Sequence, residues 1–284
     1  MGKILDGKKY GEAVKNNFLS LMNERKYDSN SFVPTLAIIQ VGHDNASDIY
    51  VRNKIKYFEE IGKAILINFE NNITNVEMLD KIEELNNDEN IDGIIVQLPL
   101  PTHLQTEMIL RAIDKVKDVD GFYSDIYVPC TPKGIIDLVE SNDISFAGRD
   151  VTIVGRGRTV GKSLASLLSS KYYDATVTLC HTKTKDLASH TKNADIIISA
   201  VGSPNLITSD MVKDGAVIID VGVNKISDST KKSGFRTVGD CEASVYEKSS
   251  YYTPPIGGVG PCTVASLYLN TYKAYTINNQ KAWF

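Results

Sequence analysis

The sequence predicts an α/β protein built on parallel sheet. Three observations carry that expectation. Short apolar runs alternate with segments of helical periodicity, the pattern of a parallel layer covered by helices. Near residue 122 this pattern changes, which divides the chain. Beyond it, a buried strand at Asp150–Val154 runs into Gly155-Arg156-Gly157-Arg158-Thr159-Val160-Gly161 and then a helix. Strand, glycine loop, helix is the context that a dinucleotide site requires.

The 284 residues suffice for one large domain or two of ordinary size. A formal net charge of −4 gives no reason to expect nucleic acid as the main partner. No run of 18 apolar residues is present, so no membrane span is expected. The segment Met1–Gly7 lacks the apolar core of a signal peptide, and Asp6 stands where a myristoylation signal needs Ser or Thr. Cys130, Cys180, Cys241 and Cys262 are widely spaced and form no C-x-x-C pair. Neither a zinc site nor a disulfide framework is expected, and the chain reads as a cytoplasmic thiol protein.

In the first half, helical spacing of Val14, Phe18, Leu19 and Met22 predicts a helix over 7–26. Leu36–Val41 is an apolar strand ended by Gly42. Asn45 with Asp48 resembles a helix start. Val51, Ile55 and Phe58 follow at core spacing. Ser47, Tyr50 and Lys54 fall on a neighbouring stripe of the same helix. A lysine beside an aromatic hydroxyl and next to a core face is a candidate for proton exchange near neutral pH, because burial disfavours its charged form. Taken alone, this helix is better read as carrying a solvated Tyr-Lys pair of no consequence. A second strand is expected at Ala64–Phe69, a helix at Thr74–Leu85, a third strand at 92–101 broken by prolines, and a helix at Leu104–Val116. Gln97 lies near the end of the third strand, where sites form in such sheets; it could also satisfy local backbone before the proline turn. Asp118 and Asp120 follow in Lys117-Asp118-Val119-Asp120-Gly121-Phe122, which could be an ordinary Asp-Gly turn.

In the second half, Pro129-Cys130-Thr131-Pro132 opens a helix at about 133–141. The glycine loop then lets backbone approach a pyrophosphate at a helix N-terminus, although its G-x-G-x-x-x-G spacing also suits a plain βα turn. The strand at Ala175–Cys180 ends in His181-Thr182-Lys183, with no acid to meet an unphosphorylated ribose. Together with Arg156 and Arg158, this favours NADP over NAD. His181 is otherwise a strand-end histidine with no ligand. Ala194–Gly202 and Gly215–Gly222 give two more buried strands, each ending in glycine, and Gly239-Asp240 ends a further short one. Thr253–Thr263 is too rich in glycine and proline to be regular, and a last helix is expected from Thr263 to Tyr275.

Six motifs then occur in a fixed order. These are Ser47-x-x-Tyr50-x-x-x-Lys54, Val96-Gln97-Leu98-Pro99-Leu100-Pro101, Lys117–Phe122, Pro129–Pro132, Gly155-Arg156 with Val160-Gly161, and Gly257-Gly258-Val259-Gly260-Pro261 with Thr263. In this order the chain strongly resembles the bifunctional methylenetetrahydrofolate dehydrogenase/methenyltetrahydrofolate cyclohydrolase family over nearly its whole length. The resemblance implies two α/β domains with a cleft between them. The first is a three-layer folate-binding catalytic domain, 1–122 plus 263–284; the second is a Rossmann-type NADP-binding domain, 123–262. It also implies a homodimer, tetrahydrofolate derivatives as substrates, and a place in one-carbon metabolism and purine biosynthesis. Lys54 matches the catalytic lysine, Gln97 the glutamine that contacts it, Tyr50 the tyrosine that packs on the folate and Asp120 the aspartate that anchors the pterin. Leu98 and Gly260 belong to the expected folate site. Gly155, Arg156, Gly157, Arg158, Val160, Gly161, His181, Thr182, Val223 and Thr263 belong to the expected cofactor site, and no metal site is expected. This chain departs from the family in Gly157, where serine is usual, in the short segment between Phe122 and Pro129, and in Pro255-Ile256, where Val-Pro is usual. Two other readings compete: another two-domain NADP dehydrogenase resembling shikimate dehydrogenase, and a catalytically silent NADP or folate sensor.

Overall fold

The computed structural model describes residues 2–24, 33–43 and 45–279. The expected end of the first helix at 25–26 and the side chains of Met22 and Asn45 lie outside the described residues. The chain divides into two compact units, Met1–Glu12 with Thr131–Thr263, and Ala13–Cys130 with Val264–Phe284.

The second of these units is a three-layer sandwich. Its sheet has the order β3-β2-β4, all parallel, from β2 (Thr35–Val41), β3 (Lys63–Phe69) and β4 (Gly93–Val96). The central strand β2 is apolar on both faces, as parallel strands covered on both sides are. Leu36 and Ile38 pack with Phe18 of α1 (Gly7–Glu24), Val51 and Phe58 of α2 (Asn45–Glu59), and Tyr268 and Tyr272 of the C-terminal helix. Ala37 and Ile39 face the other way, onto Met78, Ile82 and Leu85 of α3 (Asn75–Asn87) and Ile109 and Leu110 of α4 (Thr106–Arg111). Helix α3 begins in a capping box between Thr74 and Glu77. At its other end Lys117 Nζ donates to the carbonyls of Leu85, Asn86 and Asp88 at 2.8–3.0 Å, which satisfies acceptors the helix leaves open.

Helix α4 is shorter than the expected 104–116. Asn86 takes over the backbone there: its Nδ2 donates to Ala112 O and its Oδ1 accepts Asp114 N–H, while Asp114 Oδ1 accepts Val116 N–H. Side-chain bonds of this kind compete with the helical ladder and end it.

The other unit holds a six-stranded parallel sheet of order β1-β11-β8-β7-β5-β6. Its strands are β1 (Lys3–Ile4), β5 (Asp150–Val154), β6 (Thr176–Cys180), β7 (Ile196–Ser199), β8 (Val217–Asp220) and β11 (Tyr251–Tyr252). An antiparallel pair, β9 (Asn224–Ser227) and β10 (Phe235–Val238), forms a separate ribbon. Helices α5 (Cys130–Glu140), α6 (Ser163–Leu168), α7 (Leu187–Thr191) and α8 (Ala243–Lys248) complete the layers.

Three expectations need correction. Residues 1–12 go with the glycine-loop unit, because β1 pairs with β11 and Leu5 is buried among Ile135, Val139 and Ile219. Residues 123–130 go with the first sheet, because Asp118 accepts the N–H groups of Tyr123 and Ser124. The last helix, α9, spans Val259–Asn278 and starts inside the loop read as irregular. Gly260 and Pro261 occupy its first turn, where a missing N–H breaks no helical bond.

Candidate functional site

The first candidate cluster lies in the three-layer unit. Lys54, on α2, donates from Nζ to Gln97 Oε1 at 3.0 Å. Gln97 follows β4 directly, and its own N–H is tied to Ile39 O. Its Nε2 donates to Leu98 O at 2.6 Å. That bond fixes which end of the amide faces the lysine, since only the oxygen can accept. Gln97 thus serves the local backbone and Lys54 at once. Tyr50 sits one turn before Lys54 and is 39% exposed, and burial of its hydroxyl pushes its pKa up.

The segment Lys117–Gly121 divides its duties. Lys117 caps α3, Val119 is buried, and Asp118 holds the turn by accepting N–H groups from Gly121, Phe122, Tyr123 and Ser124. Asp120 is therefore not the turn residue. Burial pushes its carboxyl up, and Lys54 pulls it back down, so the two charges are within electrostatic reach. Cys130 donates its thiol to Val119 O at 3.2 Å and its N–H to Asp120 O at 3.2 Å, and it lies close enough to the Asp120 carboxyl to act on its pKa. Its thiol is held well above the ordinary cysteine range, by burial first and then by the Asp120 charge. It is a structural partner rather than a nucleophile. Asn270, on α9, ties the loop from behind: Nδ2 donates to Val119 O at 2.9 Å and Val128 O at 3.2 Å.

The second cluster lies at the carboxyl ends of β5, β7 and β8. Strand order reverses at β5, whose neighbours are β6 and β7, and such a switch point is where open α/β sheets bind ligands. Gly155 has φ of +110°, and a side chain on it would meet Ala200 O at 2.4 Å. A side chain on Gly161 would meet Gly155 O at 1.8 Å. The loop can close this tightly only with bare backbone. Gly157 is different: its φ is −61° and nothing lies within 4 Å of the place a Cβ would take. A serine would fit there, so the departure at 157 is not demanded by the fold. From Arg158 to Lys162 the chain makes one wide turn, with Lys162 N–H donating to Gly157 O, before α6 begins. Val160 is buried under this turn, Arg156 is exposed and Arg158 is partly buried.

His181 and Thr182 follow β6 in a tight turn in which His181 N–H donates to Thr184 Oγ1 and His181 Nδ1 accepts Lys183 N–H. No acidic side chain stands there. Val223 follows β8 and is 48% exposed. Thr263 Oγ1 lies 3.2 Å from Thr131 Oγ1, and Gly260 is in the first turn of α9. Ile256 is 63% exposed. Bare backbone at Gly155 and Gly161, two arginines in the loop and the acid-free end of β6 fit a dinucleotide carrying an extra phosphate.

Sequence reasoning missed Asn270 and Asp240. Asp240 is fully buried, and its carboxylate accepts from Ser199, Val201, Gly202, Ser203 and Asn224. Neither role follows from spacing, since the partners lie far away in sequence.

Family models match nearly the whole chain. The tetrahydrofolate dehydrogenase/cyclohydrolase catalytic domain matches residues 5–120, and the NAD(P)-binding domain of that family matches 129–279. The bifunctional protein FolD of Nautilia profundicola is 44% identical, with 95% of this chain and 96% of that protein covered. The solved FolD methylenetetrahydrofolate dehydrogenase/cyclohydrolase of Campylobacter jejuni superposes with a TM-score of 0.88 at 40% identity, covering 98% of this chain and 99% of that one. The Trypanosoma brucei methylenetetrahydrofolate dehydrogenase-cyclohydrolase, solved with NADP cofactor and inhibitor, superposes at 0.90 with 31% identity, covering 98% and 99%. With two sheets of the expected kind, a lysine-glutamine pair with a partly buried aspartate in its electrostatic reach, and these matches from residue 5 to residue 279, the chain belongs to the tetrahydrofolate dehydrogenase/cyclohydrolase family.

Proposed function

We propose that the chain oxidises 5,10-methylenetetrahydrofolate to the 5,10-methenyl cation with NADP, then hydrolyses that cation to 10-formyltetrahydrofolate. The observation that carries this reading is the Lys54–Gln97 pair at 3.0 Å, with Asp120 in electrostatic reach, in a chain of this family.

NADP, when bound, supplies a hydride acceptor. Gly155, Gly161 and the backbone between them would hold its phosphates, and Arg156, Arg158, His181 and Thr182 would meet the phosphate on its ribose. Loss of hydride from the methylene carbon needs no base, because the two flanking nitrogens stabilise the cation that remains. The protein's part in that step is alignment. Asp120 presents two oxygens to the amino group and ring N–H of the pterin, an arrangement that charge-assisted hydrogen bonds favour. Tyr50 packs on the folate. Hydrolysis is different. Water adds to the methenyl carbon and gives up both its protons as its oxygen becomes the formyl oxygen: one leaves to solvent, and the other goes to the nitrogen whose bond to that carbon breaks. Lys54 moves these protons, with Gln97 holding its ammonium or amine in place.

The deciding experiment follows NADPH absorbance on adding methylenetetrahydrofolate and NADP to purified protein, with methenyltetrahydrofolate loss measured separately. Activity in both assays is expected. A protein that binds either ligand and turns over neither is a sensor, and the reading fails. For the cofactor, Arg158→Ala is expected to narrow the preference for NADP over NAD by up to about 1.5–3 kcal/mol, the range for hydrogen bonds to charged groups. Equal efficiency with NAD and NADP in the unmutated protein would end the assignment.

A homodimer and a cytoplasmic location belong to the same reading. Strand β3 is an edge of its sheet, with Leu66 39% exposed and Ile65, Ile67 and Phe69 half-buried. Such an edge invites pairing by a second copy. Leu66→Lys is expected to shift sedimentation from dimer toward monomer, and an unmutated protein that sediments as a monomer overturns this part. All four cysteines are free and buried, which suits a reducing compartment. No described helix is long and apolar enough to cross a membrane.

A further inference from the structure

We infer that Asp240 is the positioning residue of the cofactor site, and that it acts on the dehydrogenase half of the chemistry alone. The inference rests on the NADP reading above. Asp240 sits just after β10, away from every glycine-loop residue in sequence. Its side chain is fully buried, and no cation is among the partners found for its carboxylate within the described residues. Its charge is held instead by neutral donors. One oxygen accepts Ser199 Oγ–H at 3.2 Å, Val201 N–H at 2.9 Å and Gly202 N–H at 3.3 Å. The other accepts Ser203 N–H at 3.0 Å and Asn224 Nδ2–H at 3.0 Å.

The place of these donors gives the carboxylate its role. Ser199 is the last residue of β7, and residues 201–203 are the backbone leaving it at the switch point. That backbone includes Ala200, whose carbonyl closes against Gly155 of the glycine loop. Asn224 opens β9, directly after the exposed Val223. One carboxylate therefore fixes both the backbone leaving β7 at the switch point and the start of β9 next to Val223 of the expected cofactor site. Three consecutive N–H groups aimed at one anion set that turn's backbone, and only an acceptor with several lone pairs can satisfy them together. A second buried aspartate supports the first: Asp220 accepts the N–H groups of Asp240 and Cys241 and the hydroxyl of Tyr246.

Asp240→Asn keeps the shape, but turns one acceptor oxygen into an NH2 group facing donors. The turn after β7 must then move, and the start of β9 with it. Hydrolysis of the methenyl cation uses no NADP, so it reports on the fold and the folate site independently. The experiment measures, on the unmutated protein, Asp240→Asn and the milder Asn224→Ala, the KM for NADP, the KM for methylenetetrahydrofolate, and the cyclohydrolase rate with methenyltetrahydrofolate supplied directly. The expected result is a KM for NADP raised roughly tenfold or more in Asp240→Asn, and less in Asn224→Ala. The folate KM and the cyclohydrolase rate should stay within about twofold. If both activities fall together in both variants, Asp240 is structural only and the inference is wrong. An unchanged KM for NADP in folded Asp240→Asn overturns it equally. If the unmutated protein shows no NADP-dependent oxidation, it is the underlying reading that has failed, and the two failures are told apart.

Discussion

Lys54→Met is expected to abolish hydrolysis of the methenyl cation while leaving measurable hydride transfer. Methionine retains much of the apolar stem, and Lys54 is only partly buried on a helix whose core stripe is Val51 and Phe58, so the fold should survive. The lost group is the one proposed to carry the protons. Positioned acid–base groups contribute about 10²–10⁴-fold, and the cyclohydrolase rate should fall by at least the lower figure. Hydride transfer asks for alignment and no base, so it should persist at a reduced rate. A second consequence follows from the charge. Burial already raises the Asp120 carboxyl, and Lys54 opposes that rise. Without Lys54 the carboxyl moves further up. The ionised form, proposed to grip the pterin, is then lost at a higher pH as the solution is acidified. The folate KM of the variant should begin to climb at a higher pH than that of the unmutated protein. A folded Lys54→Met protein with full cyclohydrolase activity would show that another group carries the protons.

Asp120→Ala is expected to weaken both activities, because both use one folate site. Loss of charge-assisted hydrogen bonds costs about 1.5–3 kcal/mol, or roughly ten- to a hundredfold in the folate KM. Asp120→Asn is the sharper variant. It keeps the shape but sets an NH2 group against the two donors of the pterin, so it should be nearly as poor as alanine. The turn itself should not suffer, since Asp118 holds it. Calorimetry with a folate ligand decides the matter: unchanged binding in both folded variants would remove Asp120 from the site.

The sheets were legible because their central strands are continuous apolar runs, as at Leu36–Val41 and Ile196–Ser199, and glycine or proline bounds them. Strands β1 and β11 were not. Each has two residues, and β1 is exposed on both, so neither periodicity nor hydrophobicity marks them. Helix α4 read too long because the residue that ends it, Asn86, belongs to another helix. Helix α9 read too short because glycine and proline in a first turn look like loop. The site divides the same way. Tyr50, Lys54 and the glycine loop follow from local spacing. The approach of Lys54 to Gln97 joins two elements 43 residues apart, and only the family resemblance pointed to it in advance. Asn270 and Asp240 act by long-range bonds from side chain to backbone, which leave no pattern in the sequence around them.

The tie from Asn270 to Val119 and Val128 carries a consequence for biosynthesis. A ribosome releases the Asp120 loop early and Asn270 about 150 residues later, which at typical elongation rates is a delay of roughly 8–30 s. Through that interval the nascent three-stranded sheet also lacks Tyr268 and Tyr272 of its core. The three-stranded sheet therefore waits, with apolar surface uncovered, for the helix that carries Tyr268, Asn270 and Tyr272, and a polypeptide cut short before Val264 would leave the Asp120 loop untied and that core bare.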